Sequence, residues 1–290
     1  MADQRKKKKK TTMSTVRVLT LPSNSSMSYY PENTTANYKV ELPMTLTFDG
    51  PHEVALTSFH YNRSWYNFPT TQLYRAFFDP PGTWEADHDG EDDDEEEGGA
   101  DADDTTQPSR RVISYVESGH YVGPAQVLRQ LNRDMTADYV SFLYSDVTQK
   151  VTVHFKQTGW RVKLSADLGR KLGWGKRVTL APPGRAKIES PNAMILDDID
   201  LLYVHCDMAA DSHVVGDKLV PLLKAVSVRG YHGETVSYEP RIIDWLPMRS
   251  NSYRTIEILI TDGAGVRVPF ESGQTLVKLH VRRCSPFSAI

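Results

Sequence analysis

From Ser250 to Arg283 the apolar residues fall at every second position. Ile256, Ile258 and Ile260 share one face of an extended segment. After Asp262-Gly263-Ala264-Gly265 and Pro269, a second segment sets Thr275, Val277, Leu279 and Val281 against Lys278, His280 and Arg282. A period of two fits a strand and no helix, and β-branched side chains suit a half-buried pleated surface. A sheet with one dry face needs a second layer to cover it. The stretch therefore predicts two long strands in a packed, layered β structure.

The rest of the chain repeats this grammar on both sides of a different middle. Val16, Val18 and Leu19 suggest a short extended arm. Tyr38, Val40 and Leu42 alternate with Lys39 and Glu41, Pro43 interrupts, and Leu46 and Phe48 resume. Asp49-Gly50-Pro51 then turns the chain into a return strand from His52 to Tyr61, and Leu73 to Phe78 reads as a further strand stopped by Asp79-Pro80-Pro81-Gly82. From Ile199 strands return. Leu201 to Cys206 is apolar enough for a central strand, and Leu222 to Val228 with Thr235 to Tyr238 flank Gly230-Tyr231-His232-Gly233 as a hairpin. Neither flank alone covers both faces of a sheet, so first and last segments must join across long connections, as in Greek-key and jelly-roll folds.

The middle mixes periods. Val112 to Val116 is a strand; Pro124 sits where a first helical turn tolerates it, with Val127, Leu128 and Leu131 on the apolar side. Strands follow around Phe142, Val151 to Phe155, and Val162 to Leu164, and Ser165 with Asp167 starts a short helix ending at Gly173. The expected fold is mainly β: a single jelly-roll β-sandwich with an inserted small α+β subdomain. Its expected divisions are a basic tail (1–13), a sandwich in two sequence halves (14–85 and 191–290), an acidic loop (86–108) and the insert (109–190).

The net charge of −3 over 290 residues conceals segregation: Arg5, Lys6, Lys7, Lys8, Lys9 and Lys10 are consecutive cations, while Asp87 to Asp104 is acidic. Like charges repel and neither run has apolar groups to bury, so both read as disordered. The basic run has two functional readings, a salt-sensitive contact with DNA phosphates or a nuclear-import signal, beside the plain one of a solvated tail. No apolar run reaches the roughly 20 residues that span a bilayer, and the N-terminus lacks a signal-peptide pattern, so neither a membrane span nor secretion is expected. Cys206 and Cys284 are too few and too far apart for a disulfide framework or zinc knuckle and read as reduced thiols.

His205, Asp207, Asp211, His213 and Asp217 form the densest group of metal-ligand and acid-base residue types, but without a recognised ligand spacing they read as loop residues. Asp197, Asp198 and Asp200 carry the same pair of readings. Gly173-Trp174-Gly175-Lys176 lacks the Ser/Thr and glycine spacing of a phosphate loop and reads as a helix cap with Trp174 packing back. No nucleophile elbow or metalloprotease motif is present. These signs predict no enzyme, no metal and no cofactor.

Two blocks carry a resemblance. One is Tyr38-Lys39-Val40-Glu41-Leu42-Pro43, His52-Glu53-Val54-Ala55-Leu56 and Ser64-Trp65-Tyr66-Asn67. The other is Leu201 to Asp207, Val215-Gly216-Asp217, Pro221-Leu222-Leu223, Arg254 to Ile258, Val268 to Gly273, and Val277 to His280. Together they resemble the minor capsid (penton) protein of Polinton/Maverick elements and the related adintoviruses; Gly119-His120-Tyr121, Leu131-Asn132 and Leu172-Gly173 also fit. The resemblance implies a single jelly-roll capsomer, assembled as a homopentamer at icosahedral vertices beside a double-jelly-roll major capsid protein. It also implies a place in the virion after assembly in the host nucleus or cytoplasm. The acidic loop and the lysine tail lie outside the resembling blocks; contact of the tail with genomic DNA rests on its charge alone, since the interior of a DNA-filled shell is where phosphates need neutralising. The competing readings are a lectin-like or TNF-like binding module and a cupin-type metalloenzyme, the latter needing histidines converging inside one barrel.

Overall fold

A computed structural model describes residues 16–69, 74–81, 112–133 and 138–284. The basic run from Arg5 to Lys10 and the acidic run from Asp87 to Asp104 lie outside them. The chain divides into two compact units, one taking the residues up to Trp65 and from Ile199 on, the other Tyr66–Asp198.

In chain order the first unit contributes β1 (Arg17–Pro22), β2 (Asn37–Thr47) and β3 (His52–Asn62). The second unit supplies β4 (Arg75–Asp79), β5 (Val112–Tyr115), α1 (Pro124–Leu131), β6 (Val140–Tyr144), β7 (Val151–Phe155), β8 (Arg161–Leu164), α2 (Ala166–Lys171), β9 (Val178–Leu180) and β10 (Ala186–Glu189). The first unit resumes with β11 (Leu201–Cys206), β12 (His213–Val215), β13 (Lys218–Val220), β14 (Leu222–Ser227), β15 (Thr235–Tyr238), β16 (Leu246–Pro247), β17 (Ser252–Thr261) and β18 (Leu276–Arg283).

The first unit is a two-sheet sandwich. One sheet runs β1-β18-β3-β15, with β16 also on β3; the other runs β14-β11-β17-β2. Taking the main strands β1, β2, β3, β11, β14, β15, β17 and β18 as first to eighth, the orders are 1-8-3-6 and 5-4-7-2, with every neighbouring pair antiparallel. This is the jelly roll: two Greek keys whose successive strands cross between layers. Ile256, Ile258 and Ile260 on β17 and Val277, Leu279 and Val281 on β18 are all 0–1% exposed and meet across the core with Leu202, Val204, Phe59 and Tyr61. Each such side chain contributes on the order of 1.5–3 kcal/mol through burial. The alternation read in the sequence is therefore that of two strands in opposite layers.

One local reading changes and another is borne out. The segments around Gly230 and Gly233 do not form a hairpin: β14 pairs with β11 and β15 with β3, so the connection crosses between sheets. A glycine turn with positive φ, +74° at Gly230, serves a corner between layers as well as a hairpin, and only the distant partners decide. The interruption at Pro43 followed by resumption at Leu46 is found as one strand with a break in its pairing. β2 continues past the proline at the sheet edge, where a missing N–H removes no ladder bond, and the pairing with β17 shifts between Tyr253 and Thr255.

The second unit carries β10-β7-β6 and β5-β4-β8-β9, with α1 and α2 around a core of its own. Val127, Leu128 and Leu131 are the buried face of α1. Ser165 caps α2, its Oγ accepting the Leu168 N–H at 3.4 Å. The strand Arg75–Asp79, read from sequence as part of the first sandwich half, instead pairs with β5 and β8. Phe78 packs edge-on against Phe142, and the Asp79 carboxylate accepts from Arg161 at 2.9 Å, both partners lying in the insert.

Candidate functional site

The jelly roll gathers its loops at two ends. At one end Ser23 and Thr275 exchange hydrogen bonds, the Thr275 hydroxyl donates to the Thr35 carbonyl at 2.8 Å, Ser64 Oγ donates to the Ser272 carbonyl at 2.6 Å, and Arg63 donates to the Gly230 carbonyl at 2.7 Å. These tie the β1–β2, β14–β15 and β17–β18 loops to the point where the chain leaves β3. Thr275, expected on the dry face with Val277, Leu279 and Val281, is fully buried there and acts as a polar pin. At the other end the Phe48 N–H donates to the Asn251 carbonyl and the Arg249 N–H to that of Met208.

That second end holds the His/Asp group, which the structure disperses. His205 Nε2 lies 3.3 Å from Thr261 Oγ1 on β17, and burial holds its imidazole below the ordinary range. Asp207 turns inward: its Oδ1 accepts the Glu257 N–H at 3.0 Å, and burial pushes its carboxyl upward. Beside it the Cys206 thiol is raised by burial and is a poor nucleophile. Asp211 pairs with Arg249 at 2.5 Å, His213 begins β12, and Asp217 follows Gly216 in the turn to β13. Among the described residues no three His, Cys, Asp or Glu side chains form a metal-binding group.

In the second unit, Asp198 accepts from Lys171 Nζ at 2.7 Å and from Arg170 at 3.3 Å. The Lys171 side chain is 0% exposed; its ammonium also donates to the Leu196 carbonyl at 2.9 Å and sits 5.3 Å from the Phe68 ring centre. Burial lowers its pKa against the opposing pull of Asp198. Sequence reasoning missed this pair, although Asp198 stood among the candidate cation ligands. The Gly173 segment is a helix terminus as expected, with φ +96° at Gly173 and Trp174 packed on the insert core.

What the sequence did not signal is a groove of about 630 Å³ along the open side of the sandwich, between the edges of β14 and β15. Lys224, Ala225, Ser227 and Arg229 line one wall and Val236 to Glu239 the other, with Arg241 and Ile242 at the rim. Lys224 is held by Asp244 at 2.5 Å, and the Tyr61 hydroxyl accepts the Arg229 N–H at 3.1 Å, fixing the corner between the walls. The groove has polar walls made largely of strand edge. It is suited to main-chain or protein contact.

Fold and surface thus define a single jelly-roll protein with an inserted α+β unit. A scan of protein-family models and a search of curated proteins return no match. Among solved structures the chain is similar to the mavirus penton protein, with a TM-score of 0.44 and 10% identity over 92% of this chain and 99% of that one. No helix among the described residues is long and apolar enough to cross a membrane.

Proposed function

We propose that the chain is a structural capsid protein, the vertex (penton) capsomer of an icosahedral particle of the Polinton/Maverick and adintovirus kind. The observation that carries the reading is the 1-8-3-6 and 5-4-7-2 strand order, laid over the two sequence blocks that resemble the minor capsid proteins of those elements. A jelly roll closes its core without a catalytic centre and leaves its sides free for neighbours, as a shell subunit requires. In this reading the capsomer is a homopentamer, closed by a head-to-tail interface in which one patch meets a different patch on the next copy. A double-jelly-roll major capsid protein surrounds it. The protein has no enzymatic role, ends in the virion after assembly in the nucleus or cytoplasm, and directs Arg5 to Lys10 at the packaged genome.

Coexpression with the major capsid protein tests this, followed by negative-stain imaging of the particles. Occupied fivefold vertices that empty when this chain is omitted are the expected result. Particles of identical composition and outline with and without it would reject the capsomer.

A further inference from the structure

Of the four edges of the sandwich, one is closed. The free side of β2 is filled by side chains of the β1–β2 loop. Ser26 Oγ accepts the Glu41 N–H at 2.9 Å, Asn33 Oδ1 accepts the Lys39 N–H at 2.9 Å, and Asn33 Nδ2 donates to the Lys39 carbonyl at 2.9 Å. Such capping prevents a further strand from adding there. The sheet β14-β11-β17-β2 can therefore not continue from copy to copy through β2.

Among the described residues the other sheet shows no such block. On β1, the Ser23 N–H donates to the Thr275 carbonyl, which fixes the alternation: Leu21, Leu19 and Arg17 bond to β18, and Val18 and Thr20 turn their N–H and C=O groups to the free side. Pro22 occupies the next outward position, where its missing N–H leaves the ladder intact. On β15, the Arg63 N–H donates to the Glu234 carbonyl. Val236 and Tyr238 thus bond to β3, while Thr235 and Ser237 face the groove. No strand among the described residues pairs with either free side. Val18, Thr20, Thr235 and Ser237 are exposed, Val18 at 52%.

The directions match as well. Each neighbouring pair in β1-β18-β3-β15 is antiparallel, so β1 and β15 run oppositely. A rotation about an axis along the strands preserves strand direction, so β15 of one copy meets β1 of the next antiparallel. We propose that a second copy of this chain docks its β1 edge on the β15 edge, Val18 opposite Ser237 and Thr20 opposite Thr235, continuing the β1-β18-β3-β15 sheet from subunit to subunit. Two hydrogen-bonded pairs supply up to about four main-chain bonds, and Val18 and Ser237 lie on the same, outer face. The groove beside β15 gives the incoming edge its space. This rests on the capsomer reading and names its head-to-tail contact.

Residues directly opposed in a hydrogen-bonded antiparallel pair have Cα atoms about 5.5 Å apart, within disulfide reach. The full chain carrying Val18→Cys and Ser237→Cys, with Cys284→Ser to remove the half-exposed native thiol, is oxidised mildly and run on a non-reducing gel. A covalent ladder ending in a closed ring is expected, falling to background in each single-cysteine form and in the register-shifted pair Val18→Cys with Thr235→Cys. No ladder, or dimers from Val18→Cys alone, overturns the contact. A second arm coexpresses Thr20→Pro, or Ser237→Pro, with the major capsid protein; each removes an outward N–H and no bond within the subunit. Vertices filled as in the wild type overturn the edge contact and leave the capsomer standing. A crosslinked ring that never enters particles supports the contact and removes the capsomer.

Discussion

Replacing Asp198 by Ala should cost far more than replacing its partner Lys171 by Met. The Lys171 ammonium is enclosed, with three groups arrayed on it: the Asp198 carboxylate at 2.7 Å, the Leu196 carbonyl at 2.9 Å and the Phe68 ring at 5.3 Å. Removing the carboxylate strands a buried cation, for which about 3–5 kcal/mol is typical. Asp198 is 32% exposed, so water can partly replace it, which points to the low end, about 3 kcal/mol. Lys171→Met removes the charge together with its need for a partner and should change stability by no more than about 1 kcal/mol. The double variant should then resemble Lys171→Met, since only the more exposed Arg170–Asp198 pair is further removed. A double-mutant cycle in urea, followed by far-UV circular dichroism and tryptophan fluorescence, should return a coupling of about 3 kcal/mol, the whole cost of Asp198→Ala. The sign with pH is also fixed. The folded pKa of Lys171 lies below its ordinary value, so the unfolded chain binds this proton more tightly. Stability from this group rises as pH climbs from the folded pKa to the unfolded value of about 10.4, and Lys171→Met flattens that rise. A Lys171→Met variant as unstable as Asp198→Ala would refute the reasoning, because packing rather than the uncompensated charge would then be the cause.

Asp207 should behave oppositely with pH. Burial raises its folded pKa, so the folded state holds the proton more tightly, and stability falls as pH rises from about 3.9 through the folded pKa. Asp207→Asn keeps an acceptor for the Glu257 N–H and should abolish that decline in pH-dependent urea unfolding. Gly169→Ala would place a methyl 2.0 Å from the Lys176 carbonyl oxygen; a loss of about 1–3 kcal/mol in thermal unfolding of the insert is expected. Asn33→Ala opens the β2 edge and should speed hydrogen exchange at Lys39 while lowering stability by about 1 kcal/mol. Deleting Arg5 to Lys10 should flatten the salt dependence of DNA binding by up to about 0.9 for each phosphate the tail would have neutralised; an unchanged slope removes the tail from any genome contact.

The isoleucines of β17 and the Val/Leu positions of β18 were legible because side-chain direction in a strand follows from the covalent backbone alone, wherever the partner lies. The same holds for the apolar face of α1 and the glycine terminus of α2, where the signals sit within a few residues. The candidate site was less legible. The His205 to Asp217 group is dense in sequence and scattered in space, because successive residues of a strand point to opposite faces and those of a loop follow its turns. The Lys171–Asp198 pair and the groove between β14 and β15 left no local trace.

By itself the sequence determined which residues are inside and that the chain is layered β with an α+β insertion, since hydrophobic period is a property of neighbours along the chain. Only the tertiary structure decided which strands pair, that β14 and β15 part company across the layers, that Arg75–Asp79 belongs to the insert, and which edges are capped or bare. Those choices rest on hydrogen bonds and burial between residues far apart in the chain, 252 positions in the case of Ser23 and Thr275, and a local pattern carries no information about a partner at that distance.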